Sequence, residues 1–230
     1  MAKILLVAAT EIEAAFLIKQ SKKIKNQPLW SLQGSKKHLV DVLVTGIGIT
    51  ATTYKLTKAL ILTKYDLAIN IGICGSLDNA LQPVKLVNII TDRFGDFGAE
   101  DGEKNIDIFE MGLMNKNEPP FKNGLLTASF KKRLNCLEAI KSTNAITVQR
   151  AHGAVASIKK ATKNYGKVVE SMEGAAFFYV CLKEKVKCLQ VRAISNKVEK
   201  RNKKNWKTNE AVNAIEGFTG LLLMELENSI

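Results

Sequence analysis

The residues of this chain best suited to chemistry stand where short apolar runs give way to acids, glycines and hydroxyls. Thr10 is followed three residues later by Glu13, the spacing of a capping box, in which hydroxyl and carboxylate each serve a backbone N–H in a helix's first turn. The same carboxylate, kept anionic by the helix dipole, can take a proton from water. The two uses are compatible. In Val169-Glu170-Ser171-Met172-Glu173-Gly174, Met172 and Glu173 precede another helical stretch. A carboxylate there can accept two hydrogen bonds from vicinal sugar hydroxyls while the thioether lies against the ring. The alternative is a core methionine beside a first-turn acid.

Two glycine loops follow apolar runs. Thr45-Gly46-Ile47-Gly48-Ile49-Thr50-Ala51 satisfies the G-x-G-x-x-A pattern of dinucleotide-binding turns. That reading needs an acid ending the next strand to hold a ribose, and Asp66 precedes the strand instead. Asn70-Ile71-Gly72-Ile73-Cys74-Gly75-Ser76 is the second loop, and glycines there let the backbone approach a ligand closely. An acidic stretch from Gly95 to Gly102 comes after it. A last polar junction, Arg192-Ala193-Ile194-Ser195-Asn196, follows the final apolar run.

The elements that must position these residues alternate. Strands are expected at Ile4 to Ala8, Leu39 to Val44, Leu67 to Ile71, Leu86 to Ile90, Leu125 to Ser129, Ala145 to Val148 and Cys188 to Ala193. Helices are expected at Glu11 to Lys19, Thr50 to Leu62, Phe130 to Lys141, Val155 to Tyr165, Gly174 to Lys185 and Thr208 to Glu227. The last carries an apolar stripe through Val212, Ile215, Phe218, Leu222 and Leu226. Such alternation implies an α/β fold with a largely parallel sheet covered on both faces. Ligands then bind at the carboxyl ends of the strands.

The chain has 230 residues, 46% of them apolar, enough for one domain over 1–230 with a single core. It has no run long and apolar enough to span a bilayer. Cys74, Cys136, Cys181 and Cys188 are scattered, which fits reduced thiols and a cytoplasmic location. The two histidines, His38 and His152, lack clustered ligands, so no metal is expected. A net charge of +12 raises the question of nucleic acid. The excess is nearly all dispersed lysine, as in Lys22-Lys23 and Lys131-Lys132, with few arginines and little aromatic interleaving, which reads as a solvated surface.

Taken together, Glu13, Thr45-Gly46-Ile47-Gly48, Gly72-Ile73-Cys74-Gly75, Ser171-Met172-Glu173-Gly174 and Arg192-Ala193-Ile194-Ser195-Asn196 resemble, in order and spacing, the superfamily of methylthioadenosine nucleosidase and purine nucleoside phosphorylase. The resemblance implies a three-layer sandwich around a mixed, largely parallel twisted sheet. It makes Glu13 the residue that orients or deprotonates attacking water. Met172 and Glu173 become ribose ligands, and Asn196 the contact to the purine. Gly48, Cys74, Gly75 and His152 would line the substrate loops, with His152 in the region of the base-stacking loop. It also implies a small-molecule nucleoside substrate, a homo-oligomer, and no metal or organic cofactor.

Two departures from the family pattern sharpen this. Where phosphorylases carry a phosphate-binding arginine, this chain has Val87, and its first loop offers Glu13 and no arginine, so hydrolysis is favoured over phosphorolysis. Adenosine-type nucleosidases usually have Asp where this chain has Asn196. An amide can give its NH₂ to a 6-oxo group while its carbonyl accepts from protonated N7, which points to hypoxanthine or guanine. The segments Gly95 to Gly102, Val169 to Phe178 and Arg192 to Trp206 look like the futalosine hydrolases, enzymes that release hypoxanthine in the alternative menaquinone pathway. Arg201, Lys197 and Arg150 are then the candidate cations for the substrate's carboxylate. The remaining alternatives are a methylthioadenosine or adenosylhomocysteine nucleosidase, a phosphorylase, and a nucleotide- or nucleic-acid-binding protein.

Overall fold

A computed structural model describes residues 1–25, 27–33, 37–102 and 104–229. Its first strand shows how the sheet is built. In β1 (Lys3–Ala8) the side chains divide by the two-residue period of a strand. Leu5 and Val7 enter one apolar core, and Ile4, Leu6 and Ala8 enter the other. A strand apolar on both faces needs cover on both, and each fully buried Leu or Ile contributes about 1.5–3 kcal/mol.

The chain continues with α1 (Glu11–Lys19), β2 (Ser21–Lys23), β3 (Leu29–Leu32), β4 (Leu39–Val44), α2 (Ile49–Leu62) and β5 (Leu67–Ser76). Then come β6 (Leu86–Asp92), β7 (Gly98–Asp101), β8 (Lys104–Asp107), β9 (Leu126–Thr127), α3 (Asn135–Glu138) and β10 (Lys141–Thr147). The last elements are α4 (Val155–Tyr165), β11 (Val169–Ser171), α5 (Gly174–Lys183), β12 (Lys187–Lys197) and α6 (Thr208–Ser229).

The main sheet runs β11-β10-β6-β12-β5-β1-β4-β3-β2, with β9 beside β6. Strands β4, β1, β5 and β12 are parallel to one another, as are β6, β10 and β11. The two blocks meet antiparallel, β12 on β6 and β11 on β5. The return of β11 to β5 closes β5, β12, β6, β10 and β11 into a ring, so the expected mixed sheet curls shut along one side. Helices α2 and α5 contribute Leu56, Ala59, Phe177 and Phe178 to one core. Residues Ala14, Leu17, Leu137, Ile215, Leu222 and Leu226 from α1, α3 and α6 fill the other. This is the three-layer arrangement the apolar periodicity implies.

Three expectations need correcting. The helix expected over Phe130 to Lys141 is only α3, because Ser129 and Phe130 donate their backbone N–H groups to the Cys188 carbonyl and are held extended against the start of β12. The strand expected over Leu125 to Ser129 is likewise only β9. The glycine segment after Ile71 is strand and not loop: β5 runs on to Ser76, since β12 and β11 offer partners on either side. In the same way β12 carries Arg192 to Asn196 within the strand. The hairpins β2–β3 and β7–β8 were not expected, as Ser21–Lys23 and Gly98–Asp101 are short and polar without apolar alternation.

Candidate active site

Thr10 caps α1 as its spacing implies. Its hydroxyl accepts from the Glu13 amide at 3.3 Å, while Glu13 Oε2 accepts from the Thr10 amide at 3.0 Å and the Thr10 hydroxyl at 2.7 Å. The other oxygen, Oε1, accepts from the Ile73 amide at 3.0 Å. A local helix cap therefore also ties α1 to the carboxyl half of β5.

Gly72 makes this approach possible. A methyl group there would lie 2.6 Å from Glu13 Oε1 and 2.6 Å from Arg192 Nη1. Arg192, 1% exposed, is the largest fully buried side chain, and an isolated charge so placed is costly unless it is paired. Its Nε donates to Gln190 Oε1 at 2.9 Å and its Nη2 donates to Asn70 Oδ1. Among the described residues Nη1 has no hydrogen-bond partner, and it lies 3.8 Å from Glu173 Oε2. Glu173 Oε1 accepts from the Gly48 amide at 3.0 Å. Burial pushes the Glu173 carboxyl above its ordinary pKa, with Glu13's charge adding to the effect, while Arg192 and the Gly48 N–H pull it back. Gly46 and Gly48 have φ of +87° and +91°, the left-handed region that favours glycine, so the G-x-G pair serves this turn. The Gly48 amide already meets a protein carboxylate in place of a phosphate.

The network continues inward. Gln190 Nε2 donates to Asp92 Oδ2 at 3.2 Å, and Asp92 Oδ1 accepts from the Thr147 hydroxyl at 3.0 Å and the Arg93 amide at 2.8 Å. Burial raises the Asp92 carboxyl to about 7 against those donors. Asp92→Asn is expected to lower unfolding stability by about 1–3 kcal/mol, the cost of one buried polar group left unpaired. With its carbonyl kept toward Thr147 and Arg93, the new amide would face the Gln190 amide, and a flip of Gln190 would only move the donor–donor clash onto Arg192 Nε. A denaturation midpoint unchanged from wild type would contradict this.

Asn196 flanks the same strand. It pairs with Gly75 across a bulge at Ser195. Its Nδ2 donates to the Lys197 carbonyl at 2.8 Å, and its Oδ1 accepts from the Ser195 hydroxyl at 2.7 Å. The carbonyl contact fixes which way the amide faces. One hydrogen on Nδ2 and one lone pair on Oδ1 remain free.

On the other side of Gly75 in the ladder stands Glu170. Both its oxygens hold His152: Oε1 accepts from the backbone amide at 3.0 Å, and Oε2 is bound by ring Nδ1. Asn196, Gly75, Met172, Glu170 and His152 line one cavity of about 80 Å³, together with Lys197, Arg201 and Trp206. The Arg201 guanidinium lies 5.3 Å over the Trp206 ring. A larger hollow of about 490 Å³ opens between β7, β8 and Tyr165, lined by Gly95 to Glu100 of the acidic stretch but by none of the residues given a role at the site.

The expected residues thus fall into two adjoining groups. Glu13, Glu173 and Gly48 gather around Arg192, while Asn196, Met172, Gly75 and His152 share the cavity, and Met172 and Glu173 are neighbours in sequence. Cys74 stands apart, since its thiol packs in the core, where burial pushes it to about 12, and only its carbonyl reaches the site, lying 3.1 Å from the Ser195 hydroxyl, whose single hydrogen it shares with the closer Asn196 Oδ1. Arg150 is exposed and does not line the cavity. Sequence reading gave Arg192, Glu170, Asn70 and Asp92 no role. The signal available for Arg192 was a charge inside the apolar run Cys188 to Ala193, and for Glu170 an acid directly after Val168-Val169.

Residues 3–221 match the family model described as the phosphorylase superfamily. The futalosine hydrolase of Thermus thermophilus is 26% identical over 226 residues, covering 96% of this chain and 95% of that protein. Among solved structures, a 5'-methylthioadenosine/S-adenosylhomocysteine nucleosidase from Colwellia psychrerythraea in complex with adenine superposes with a TM-score of 0.80 at 21% identity, over 98% of this chain and 96% of that one. A futalosine hydrolase of Helicobacter pylori superposes with a TM-score of 0.79 at 16% identity, over 97% and 98%. At such identities these two likenesses concern the fold.

Proposed function

The chain belongs to the phosphorylase superfamily, and from that premise we propose that it hydrolyses the N-glycosidic bond of a 6-oxopurine nucleoside, with futalosine as the substrate and hypoxanthine as the base released. The observation that supports this reading is the placement of two groups along the carboxyl half of β5: Glu13 bound to the Ile73 amide, and Asn196 beside Gly75.

In this reading the purine enters the cavity with its O6 and N7 edge toward Asn196. The free Nδ2 hydrogen donates to O6, and once N7 has taken a proton from solvent the free Oδ1 lone pair accepts from its N–H, while the proton left on Glu13 returns to solvent after the base departs. As the bond to C1′ lengthens, positive charge grows on the sugar. Glu173 accepts from the ribose hydroxyls and sets negative charge near that cation, so it stabilises the transition state more than the ground state. Met172 packs between sugar and base. Water beside Gly72 donates to Glu13 Oε1 and accepts from Arg192 Nη1, whose donor is otherwise unused. Glu13 takes its proton as oxygen attacks C1′.

Water suits the site better than phosphate. A dianion near Glu13 and Glu173 would be repelled by each carboxylate by about 4 kcal/mol per pair of unit charges at close range. Among the described residues at the site, the Arg192 Nη1 group is the buried donor left without a partner to oppose that. Val87, where phosphorylases carry an arginine, is buried in the core. For the substrate's carboxylate, Arg201 and Lys197 are the cations lining the cavity.

The test is release of free base from futalosine, inosine and methylthioadenosine, each with and without phosphate. Hypoxanthine should appear fastest from futalosine, at a rate independent of phosphate. Faster adenine release from methylthioadenosine, or a requirement for phosphate, would replace this reading with an adenosine-type nucleosidase or a phosphorylase.

A further inference from the structure

We infer that His152, held by Glu170, reads the 6-substituent of the leaving purine across the cavity from Asn196 and so selects a 6-oxo base over a 6-amino one. The inference rests on the hydrolase reading only for placing a purine in this cavity.

The geometry comes from the ladder. Gly75 has Asn196 on one side, through β12, and Glu170 on the other, through β11. His152 is fastened to Glu170 by both backbone and ring, and it lines the same cavity as Asn196, with Gly75, a residue with no side chain, between their strands. A larger residue at Gly75 would narrow this space, as its Cβ would lie 2.8 Å from Val198 Cγ2. Glu170 is 6% exposed with both oxygens spent on His152, which fits a residue whose task is to fix that ring. With Nδ1 committed to the carboxylate, Nε2 is the ring atom left for a ligand. It makes no hydrogen bond among the described residues, and the side chain is 18% exposed and lines the cavity.

The chemistry follows from which nitrogen carries hydrogen. A neutral ring donates at Nδ1 to Glu170 and can only accept at Nε2, whereas the imidazolium donates at both. The hydrogen bond to Glu170 raises the His152 pKa above its ordinary value, against the effect of burial, with the charge of Asp96 adding to the rise. The other charged groups around the shared cavity are Lys197, Glu199 and Arg201. The cations oppose protonation and Glu199 favours it. An imidazolium N–H matches O6, and it stabilises the electron density that reaches O6 as the base departs. Against a 6-amino group it sets donor against donor. Selectivity for the oxo base should therefore be present while His152 is protonated and decline as pH rises through its raised pKa.

This differs from a ring that only stacks on the base, and binding of free purines separates the two. Hypoxanthine and adenine would be titrated calorimetrically into wild type, His152→Phe and Glu170→Gln, across a pH range in which both purines stay neutral. His152→Phe keeps an aromatic face and should weaken hypoxanthine by about tenfold or more, the loss of one charged hydrogen bond, with adenine within about threefold. In wild type the preference for hypoxanthine should fall as pH rises, and in Glu170→Gln it should fall at lower pH. Equal losses for both purines, a preference in wild type that ignores pH, or failure of wild type to bind either purine would overturn the inference. The wild-type titration does not depend on how well either variant folds. Hypoxanthine binding that depends on His152, in a protein that releases no base from futalosine, would overturn the hydrolase reading and leave this one standing.

Discussion

Glu13→Gln is expected to cut hypoxanthine release from futalosine by about a hundredfold or more, the usual contribution of a positioned general base. The variant also tests the double use of this side chain. Oε2 accepts from Thr10, and Oε1 accepts from the Ile73 amide. An amide has one acceptor oxygen, so the substituted side chain can satisfy one side and must turn its NH₂ toward a donor on the other. Stability should fall by about 1–3 kcal/mol, the range for a buried donor left without an acceptor. The rate is measured by steady-state assay and the stability by denaturant titration. Activity within about tenfold of wild type would remove Glu13 from the role of base.

Gly72→Ala is expected to lower kcat/KM by about a hundredfold while the protein still folds, because a displacement of about 1 Å at reacting groups costs on that order. Alanine is at ease in a strand, and Gly72 has no special backbone angle to preserve. Its methyl group, however, would meet Glu13 Oε1 and Arg192 Nη1 at 2.6 Å. Neither can swing away freely: Glu13 is held at both oxygens, and Arg192 is held at Nε and Nη2. The crowding should cost about 1–3 kcal/mol, as overpacking usually does. The same substitution at the exposed Gly102 would meet nothing within 4 Å, although its φ of +57° favours glycine. A Gly72→Ala enzyme with kcat/KM within about threefold of wild type would mean that the Glu13–Arg192 approach is not needed for turnover.

Where local rules govern, the sequence is informative. The bounds of α1 and α4 fall on the expected residues, and the Thr10–Glu13 box forms in full. The unbroken apolar run of Ile4 to Ala8 correctly implies cover on both faces. Elements governed by distant partners are less legible. Phe130 to Lys141 has helical periodicity, but the Cys188 carbonyl takes the amides of Ser129 and Phe130 at its start. Gly72 to Gly75 reads as a loop until strands on both sides supply ladder bonds.

By itself, then, the sequence determined the sheet covered on both faces and the Thr10 cap, because these follow from propensity and period within about one helical turn or strand, while the candidate site residues rest on the resemblance of their motifs. Only the tertiary structure decided that β11 returns to β5 and closes the ring. That closure sets Glu170 and Asn196 on opposite sides of Gly75, while Arg192 Nη1 lies 3.8 Å from the Glu173 carboxylate. Such placements depend on the register between strands about a hundred residues apart. Register is chosen by how buried side chains pack and pair across the sheet, which no local window of sequence contains.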